Sequence, residues 1–189
     1  MAVSAHDVAR ELRNRRHGAG NTQVQKWLYY CQGWHLAWTG EPLFLESIEA
    51  WTNGPVVAEL WADEKYERGK PDPQAVSGDG LAIIEYVLKR YGGYSGAELI
   101  KMTHGEAPWL ELAENEDVAA STPSPEIQPK ALQQWFAQDD AFVERAREVD
   151  RLRKHTEAYA PGPPRVSDAY RDAVRRVLDG ERIVETRPA

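Results

Sequence analysis

His104-Gly105-Glu106 is the stretch of this sequence that most readily suggests catalysis. An imidazole beside a carboxylate in a loop can transfer protons near neutral pH. The alternative is structural: Thr103 and His104 end one helix, while Glu106 and Pro108 begin the next. No nucleophile or second acid lies nearby in the sequence, so the pattern favours the structural interpretation.

The sequence contains no strong pattern that predicts a metal or cofactor site. The five histidines include no pair at the i, i+4 spacing with which one helix face binds zinc. Cys31 is alone, which predicts neither a disulfide nor a cysteine zinc cluster. Gly92-Gly93-Tyr94-Ser95-Gly96 resembles a phosphate loop, but it lacks a preceding parallel strand and a basic partner, which favours a turn between helices. We therefore expect no metal, no cofactor and no enzymatic activity.

Charge is unevenly distributed along the chain. The net charge is −7, yet residues 141–189 carry 11 Lys+Arg against 9 Asp+Glu, which leaves 12 against 21 in residues 1–140. An acidic body disfavours DNA binding by the protein as a whole. The basic residues of the tail fit either an exposed charged helix or an arm that binds a partner. The arginines that we assign to such an arm are Arg145, Arg147, Arg151, Arg153, Arg171 and Arg175.

The sequence also predicts the cellular location of the protein. The first residues turn charged at once and contain no apolar signal region. The longest apolar stretches, Trp27–Cys31 and Leu81–Ile84, are far too short to cross a bilayer. Together with the single cysteine, these features predict a cytoplasmic protein that does not enter a membrane.

Hydrophobic periodicity and breakers define the elements that must position these residues. Thr22 and Gln25 form a capping-box pattern at the start of the clearest helix. That helix carries Trp27, Tyr30 and Trp34, and we expect its aromatic side chains to form the centre of the core. Helices are predicted over 4–16, 22–39, 55–68, 81–91, 95–102, 130–137, 139–156 and 166–180, with a brief helix after the turn at 103–109.

The rest of the pattern is non-helical. Residues 43–52 are rich in Phe, Ile and Trp and predict a short strand or one arm of a β-hairpin. Asn53-Gly54-Pro55 breaks the chain, with Pro55 expected in the first turn of the next helix. Residues 69–80 and 119–129 are predicted loops, and 161–164 is a proline-rich break. The sequence thus predicts a mainly α protein, with a compact domain at 1–140 and a helical extension at 141–189.

Three blocks in order resemble the Panacea domain of the SocA-like antitoxins. The first contains Lys26, Trp27, Tyr30 and Trp34, the second runs from Ile48 through Trp51 to Gly54-Pro55-Val56, and the third is Thr103–Trp109 with His104, Pro108 and Trp109. The resemblance covers roughly residues 5–137, and the tail from about residue 141 lies beyond the family pattern.

The resemblance implies an antitoxin encoded beside a toxin gene. Most members of this family are thought to inactivate a cognate protein toxin by direct binding. SocA itself acts as an adaptor that delivers its toxin to an ATP-dependent protease, so an adaptor is the first alternative and a DNA-binding autoregulator the second. The family-motif residues are expected to define the fold or the interface, and the tail is expected to carry toxin specificity.

Overall fold

The computed structural model describes residues 3–69, 71–76, 78–115, 118, 121, 123–138 and 151–152. Within these residues the fold is mainly α with one small β-hairpin, as predicted. The elements in chain order are α1 (Ala5–Arg15), α2 (Asn21–Thr39), β1 (Ile48–Trp51), β2 (Gly54–Val57), α3 (Ala58–Lys65), α4 (Asp79–Tyr91), α5 (Gly96–His104), α6 (Ala107–Asn115) and α7 (Pro129–Ala137).

Helix α2 is the centre of the fold, and α1, α4, α5, α7 and β2 all pack against it. Its Trp27, Tyr30 and Trp34 are buried, which confirms that the aromatic residues form the core. The predicted cap is wrong, because the N-cap is Gly20 and Thr22 lies inside the helix. Gln23 Oε1 accepts the Gly20 amide instead, which leaves Gln25 free to bind elsewhere.

The β-hairpin lies further along the chain than predicted. β1 and β2 pair antiparallel from Ile48 with Val57 to Trp51 with Gly54, which leaves a two-residue turn. Pro55 therefore lies in β2, and the prediction that it begins a helix is wrong. It is tolerated because a proline at the edge of a short ladder removes only one donor.

Part of the predicted loop at 119–129 pairs with the hairpin. The Ala50 amide donates to Pro125 O at 2.8 Å and the Ile127 amide donates to Ile48 O at 2.8 Å, so residues 125–127 pair with β1. This segment then leads into α7, whose first residue is Pro129. The prediction of a loop over 119–129 missed this pairing because serine and proline, which are typical of loops, are frequent in the segment.

Two further features concern the sequence predictions. The helix predicted over 95–102 is confirmed as α5, and a Ser95–Glu98 capping box begins it, in which the Glu98 amide donates to Ser95 Oγ at 3.3 Å. No helix in the described part of the chain combines the length and hydropathy needed to span a bilayer. The predicted helices at 139–156 and 166–180 lie outside the described residues, apart from helical positions 151–152.

Candidate functional site

The second strand of the hairpin is fixed to α2 by two consecutive polar side chains. Lys26 Nζ donates to Pro55 O at 2.8 Å, and Gln25 Oε1 accepts from the Val57 amide at 2.8 Å. Both side chains are buried, with Lys26 only 1% exposed. Because strands this short are marginal alone, these bonds help to fix β2 on the helix.

The first strand is fixed by the turn between α5 and α6. Trp109 Nε1 donates to Trp51 O at 3.0 Å. The His104 ring stacks on the Trp109 ring, with centroids 3.8 Å apart and planes at 10°. Thr103 Oγ1 bonds back to Leu99 O at 3.1 Å and so closes α5. The family-motif residues at 26, 51–56 and 103–109 thus meet around the hairpin.

Glu106 links the same turn to α2. Its carboxylate accepts from Tyr29 Oη at 2.7 Å and from Tyr30 Oη at 3.0 Å. Tyr30 in turn stacks on Tyr91 of α4, with centroids 3.8 Å apart. The acidic residue of the predicted His-Gly-Glu group is therefore hydrogen-bonded to two core tyrosines.

Burial changes the ionisation of these groups. Desolvation lowers the pKa of Lys26 to about 7, and no described carboxylate forms an ion pair with it. Burial raises the pKa of Glu106 to about 7, although the two tyrosine hydroxyls lower it in part. The pKa of His104 is lowered, first by burial and then by the charge of Lys26. The region therefore holds ionisable groups that disfavour their charged forms.

Gly54 permits the close approach of these elements. Its φ of +89° lies in the left-handed region, where a side chain is strained. A Cβ at this position would lie 2.8 Å from Thr103 Oγ1 and 3.1 Å from Lys26 Nζ. Only glycine therefore lets the hairpin turn pack directly on Lys26 and α5.

Three aromatic side chains form a surface beside the hairpin, which we call the aromatic face. Trp51 and Trp61 meet edge to face at 4.9 Å, and Trp61 meets Tyr66 at 6.3 Å. Tyr66 is 58% exposed, and the two tryptophans are half-buried. Lys65 Nζ lies 4.3 Å from the centre of the Trp61 ring.

Sequence reasoning included Trp51 in the candidate site but missed Trp61 and Tyr66. Trp61 lies within the helix predicted over 55–68, and its neighbour Leu60 is the buried residue of α3. The available signal was the i, i+4 spacing of Trp61 and Lys65, which brings a cation over an aromatic ring.

The other predicted site residues fall into three groups. Trp27 and Trp34 lie in the core beside Tyr91, whose backbone oxygen accepts from Trp27 Nε1 at 3.3 Å. Val56 and Pro108 are buried at the edges of the hairpin site. In the tail, only Arg151 is described, and it is exposed; Arg145, Arg147, Arg153, Arg171 and Arg175 lie outside the described residues.

The His104 and Glu106 side chains are both engaged by contacts within the protein. Among the described residues, His104 Nε2 is buried without a hydrogen-bond partner, and the Glu106 carboxylate accepts from two tyrosine hydroxyls. Within the described residues, no three histidine, cysteine or acidic side chains converge as metal ligands would. What the site presents to solvent is the aromatic face.

Comparison with known proteins agrees with the motif blocks. Residues 24–110 match the family model described as "Antitoxin SocA-like, Panacea domain". No curated protein and no solved structure matches the chain. The matched range begins in α2 and ends in α6, so it contains Lys26, the whole hairpin and the His104–Trp109 stack. Over residues 24–110 this chain is therefore similar to the Panacea domain of the SocA-like antitoxins.

Proposed function

We propose that this protein is a cytoplasmic antitoxin that neutralises a cognate protein toxin by binding it directly. The observation that carries the proposal is the family match over residues 24–110. The described geometry supports a binding role, because the motif side chains stabilise a hairpin and an adjacent aromatic surface. In this proposal the protein is not an enzyme, and His104 and Glu106 stabilise the turn between α5 and α6.

We further propose that the aromatic face contacts the toxin. Tryptophan and tyrosine contribute strongly to protein interfaces because they bury a large area with few rotatable bonds. Trp51 is fixed through both its side chain and its backbone. Its Nε1 donates to Glu49 Oε2 at 2.8 Å, and its backbone oxygen accepts from Trp109 Nε1. Trp51, held in this way, loses little conformational entropy when a partner binds.

Neutralisation is tested by co-expression with the neighbouring genes. We expect one adjacent gene to be toxic alone, harmless together with this protein, and its product to co-purify with it. If every adjacent gene product is harmless when expressed alone, the antitoxin assignment is wrong.

The contact surface is tested with Trp61→Ala combined with Tyr66→Ala. We expect this variant to keep its thermal unfolding midpoint within a few degrees and to bind the toxin at least about tenfold more weakly. Tyr94→Ala is the matched control, because Tyr94 is also an exposed aromatic residue, at 41%, but lies outside this face. Equal toxin affinity in the double variant and the control would place the interface elsewhere.

Toxin lifetime separates direct binding from the adaptor alternative. Direct binding predicts a stoichiometric complex in which the toxin survives as long as it does alone. Rapid loss of the toxin that depends on both this protein and an ATP-dependent protease would favour the adaptor instead.

A further inference from the structure

A second surface, distinct from the aromatic face, lies at the other end of β1. It is a groove of about 330 Å³ between the end of α2, the segment before β1 and the start of α7. Leu36, Ile48 and Leu132 contribute its apolar lining. Below, this surface is called the α7 groove.

Leu45 stands at the rim of the groove and is 79% exposed. It is the most exposed of the large hydrophobic residues in the described chain, whereas its neighbour Phe44 is fully buried. Single exposed leucines are common on protein surfaces. Here, however, the exposed leucine stands directly beside a groove that has room for an apolar side chain.

The charges on the rim are complementary to one another. Glu126 and Lys130 both line the groove, and both are exposed. Neither forms an ion pair with a residue in the described part of the chain. The same small surface therefore carries a protruding apolar side chain, an apolar groove, an unpaired acid and an unpaired base.

We infer that the α7 groove is a self-association surface, and that its occupant is Leu45 of a second copy of this chain. In a two-fold arrangement each Leu45 enters the groove of the other copy. The same two-fold axis brings Lys130 of each copy to Glu126 of the other, so each ion pair forms twice.

A second copy fits this surface better than an unrelated partner does. An unrelated protein has to supply an apolar side chain for the groove and a pair of opposite charges. A second copy of this chain already carries all three, as Leu45, Glu126 and Lys130. Self-complementarity of this kind is the property that a two-fold interface requires. The inference does not depend on the antitoxin proposal, because it concerns the purified chain alone.

The test is sedimentation velocity of the full chain over a range of concentrations. We expect the wild type to shift from monomer to dimer as concentration rises. Leu45→Glu should weaken the dimer at least about tenfold, because it places a charge in an apolar groove. Leu45 is exposed, so the variant should keep the wild-type unfolding midpoint.

Charge reversal gives an independent test of the geometry. Lys130→Glu should weaken the dimer, because two like-charged pairs replace two attractive ones. Adding Glu126→Lys to that variant should restore dimerisation. Tyr94→Glu is the matched control and should dimerise normally, since Tyr94 O accepts from Gln23 near the start of α2, about 20 Å along that helix from Leu36.

The inference is overturned if the wild type remains a monomer at the highest concentration it tolerates. It is equally overturned by a dimer that Leu45→Glu leaves intact, or by failure of the double charge reversal to restore association. If the backbone amides of the groove become protected from hydrogen exchange only when the toxin is added, this surface binds the toxin instead.

Discussion

Lys26 places an ionisable side chain in the core of the protein. Its ammonium group has one described hydrogen bond, to Pro55 O, in a nearly water-free site. Burial of a charge without an acidic partner is costly, and the lowered pKa of this lysine expresses that cost. Its long side chain nevertheless reaches the hairpin, and Gly54 leaves room for it.

The first prediction concerns the pH dependence of folding. The folded state releases the Lys26 proton near its pKa of about 7, whereas the unfolded chain holds that proton to the ordinary value of 10.5. Between these values the unfolded state binds one more proton, so the Lys26 contribution to the free energy of unfolding increases with pH. Lys26→Met should therefore remove an upward slope of up to about 1.4 kcal/mol per pH unit.

Urea denaturation at pH values from about 7 to about 9 measures this slope. This pH range lies between the folded-state and unfolded-state pKa values of Lys26. The control is Lys101→Met, which replaces an exposed lysine of α5. Parallel stability curves for the wild type and Lys26→Met would show that Lys26 is not the group responsible. The slope of the control should equal that of the wild type.

At the scale of elements, α2 and α7 approach one another at a glycine. A Cβ on Gly33 would lie 2.1 Å from Phe136 Cε2, so the Phe136 ring occupies the space that a side chain would need. Phe136 also meets Trp34 edge to face at 5.0 Å and Tyr29 at 5.7 Å. Gly33 thus allows α7 to close the aromatic core.

The second prediction is a double-mutant cycle on that contact. Gly33→Ala should destabilise the protein by about 2 kcal/mol or more, because Phe136 is forced out of its position. In a Phe136→Ala background the same change should be neutral, or should stabilise by up to about 1 kcal/mol, since alanine favours a helix interior. Urea unfolding of the four proteins gives the coupling energy, and additive effects would show that the two helices do not interact through this pair.

The elements also show what the sequence could and could not predict. Most of the described helices were predictable from apolar periodicity together with the glycine and proline breakers between them, even where the predicted cap was wrong, as at the start of α2. The hairpin was only half predictable, since Gly54-Pro55 is typical both of a helix start and of a strand after a tight turn. The pairing of 125–127 with β1 was invisible, because it depends on a backbone contact across about 75 residues of chain.

The residues of the candidate site were predictable from the sequence, but their contacts were not. The motif residues were found through a resemblance that spans several blocks, and the structure shows that they meet. Their contacts could not be read from the sequence, because Lys26 and Trp109 both bind backbone oxygens, which any residue supplies. Tyr66 carries no motif, and only the fold shows that it lies beside Trp61.

At the scale of the whole molecule, the tail and the body cannot be treated as fully independent. Leu152 is partly buried against the hydrophobic core, although it lies beyond the predicted domain boundary at residue 140. The division into a 1–140 domain and a 141–189 extension remains a prediction. Removal of the whole tail would therefore combine the loss of this contact with any loss of partner binding.

The last prediction separates these two effects by changing charge without shortening the chain. Replacing the tail arginines by glutamine should leave the unfolding midpoint unchanged and weaken toxin binding, most strongly at low salt, because screening already weakens charge attraction at high salt. The residues are Arg145, Arg147, Arg153, Arg171 and Arg175.

The matched control replaces the same number of tail glutamates by glutamine, at Glu144, Glu148, Glu157, Glu181 and Glu185. If the tail binds an acidic partner, the two sets should have opposite effects on affinity, because one removes attraction and the other removes repulsion. Leu152→Ala reports the structural contribution separately and should lower stability by about 1 kcal/mol. Full affinity in the arginine variant would show that the tail does not recognise the toxin through charge and would leave the described domain as the specificity element.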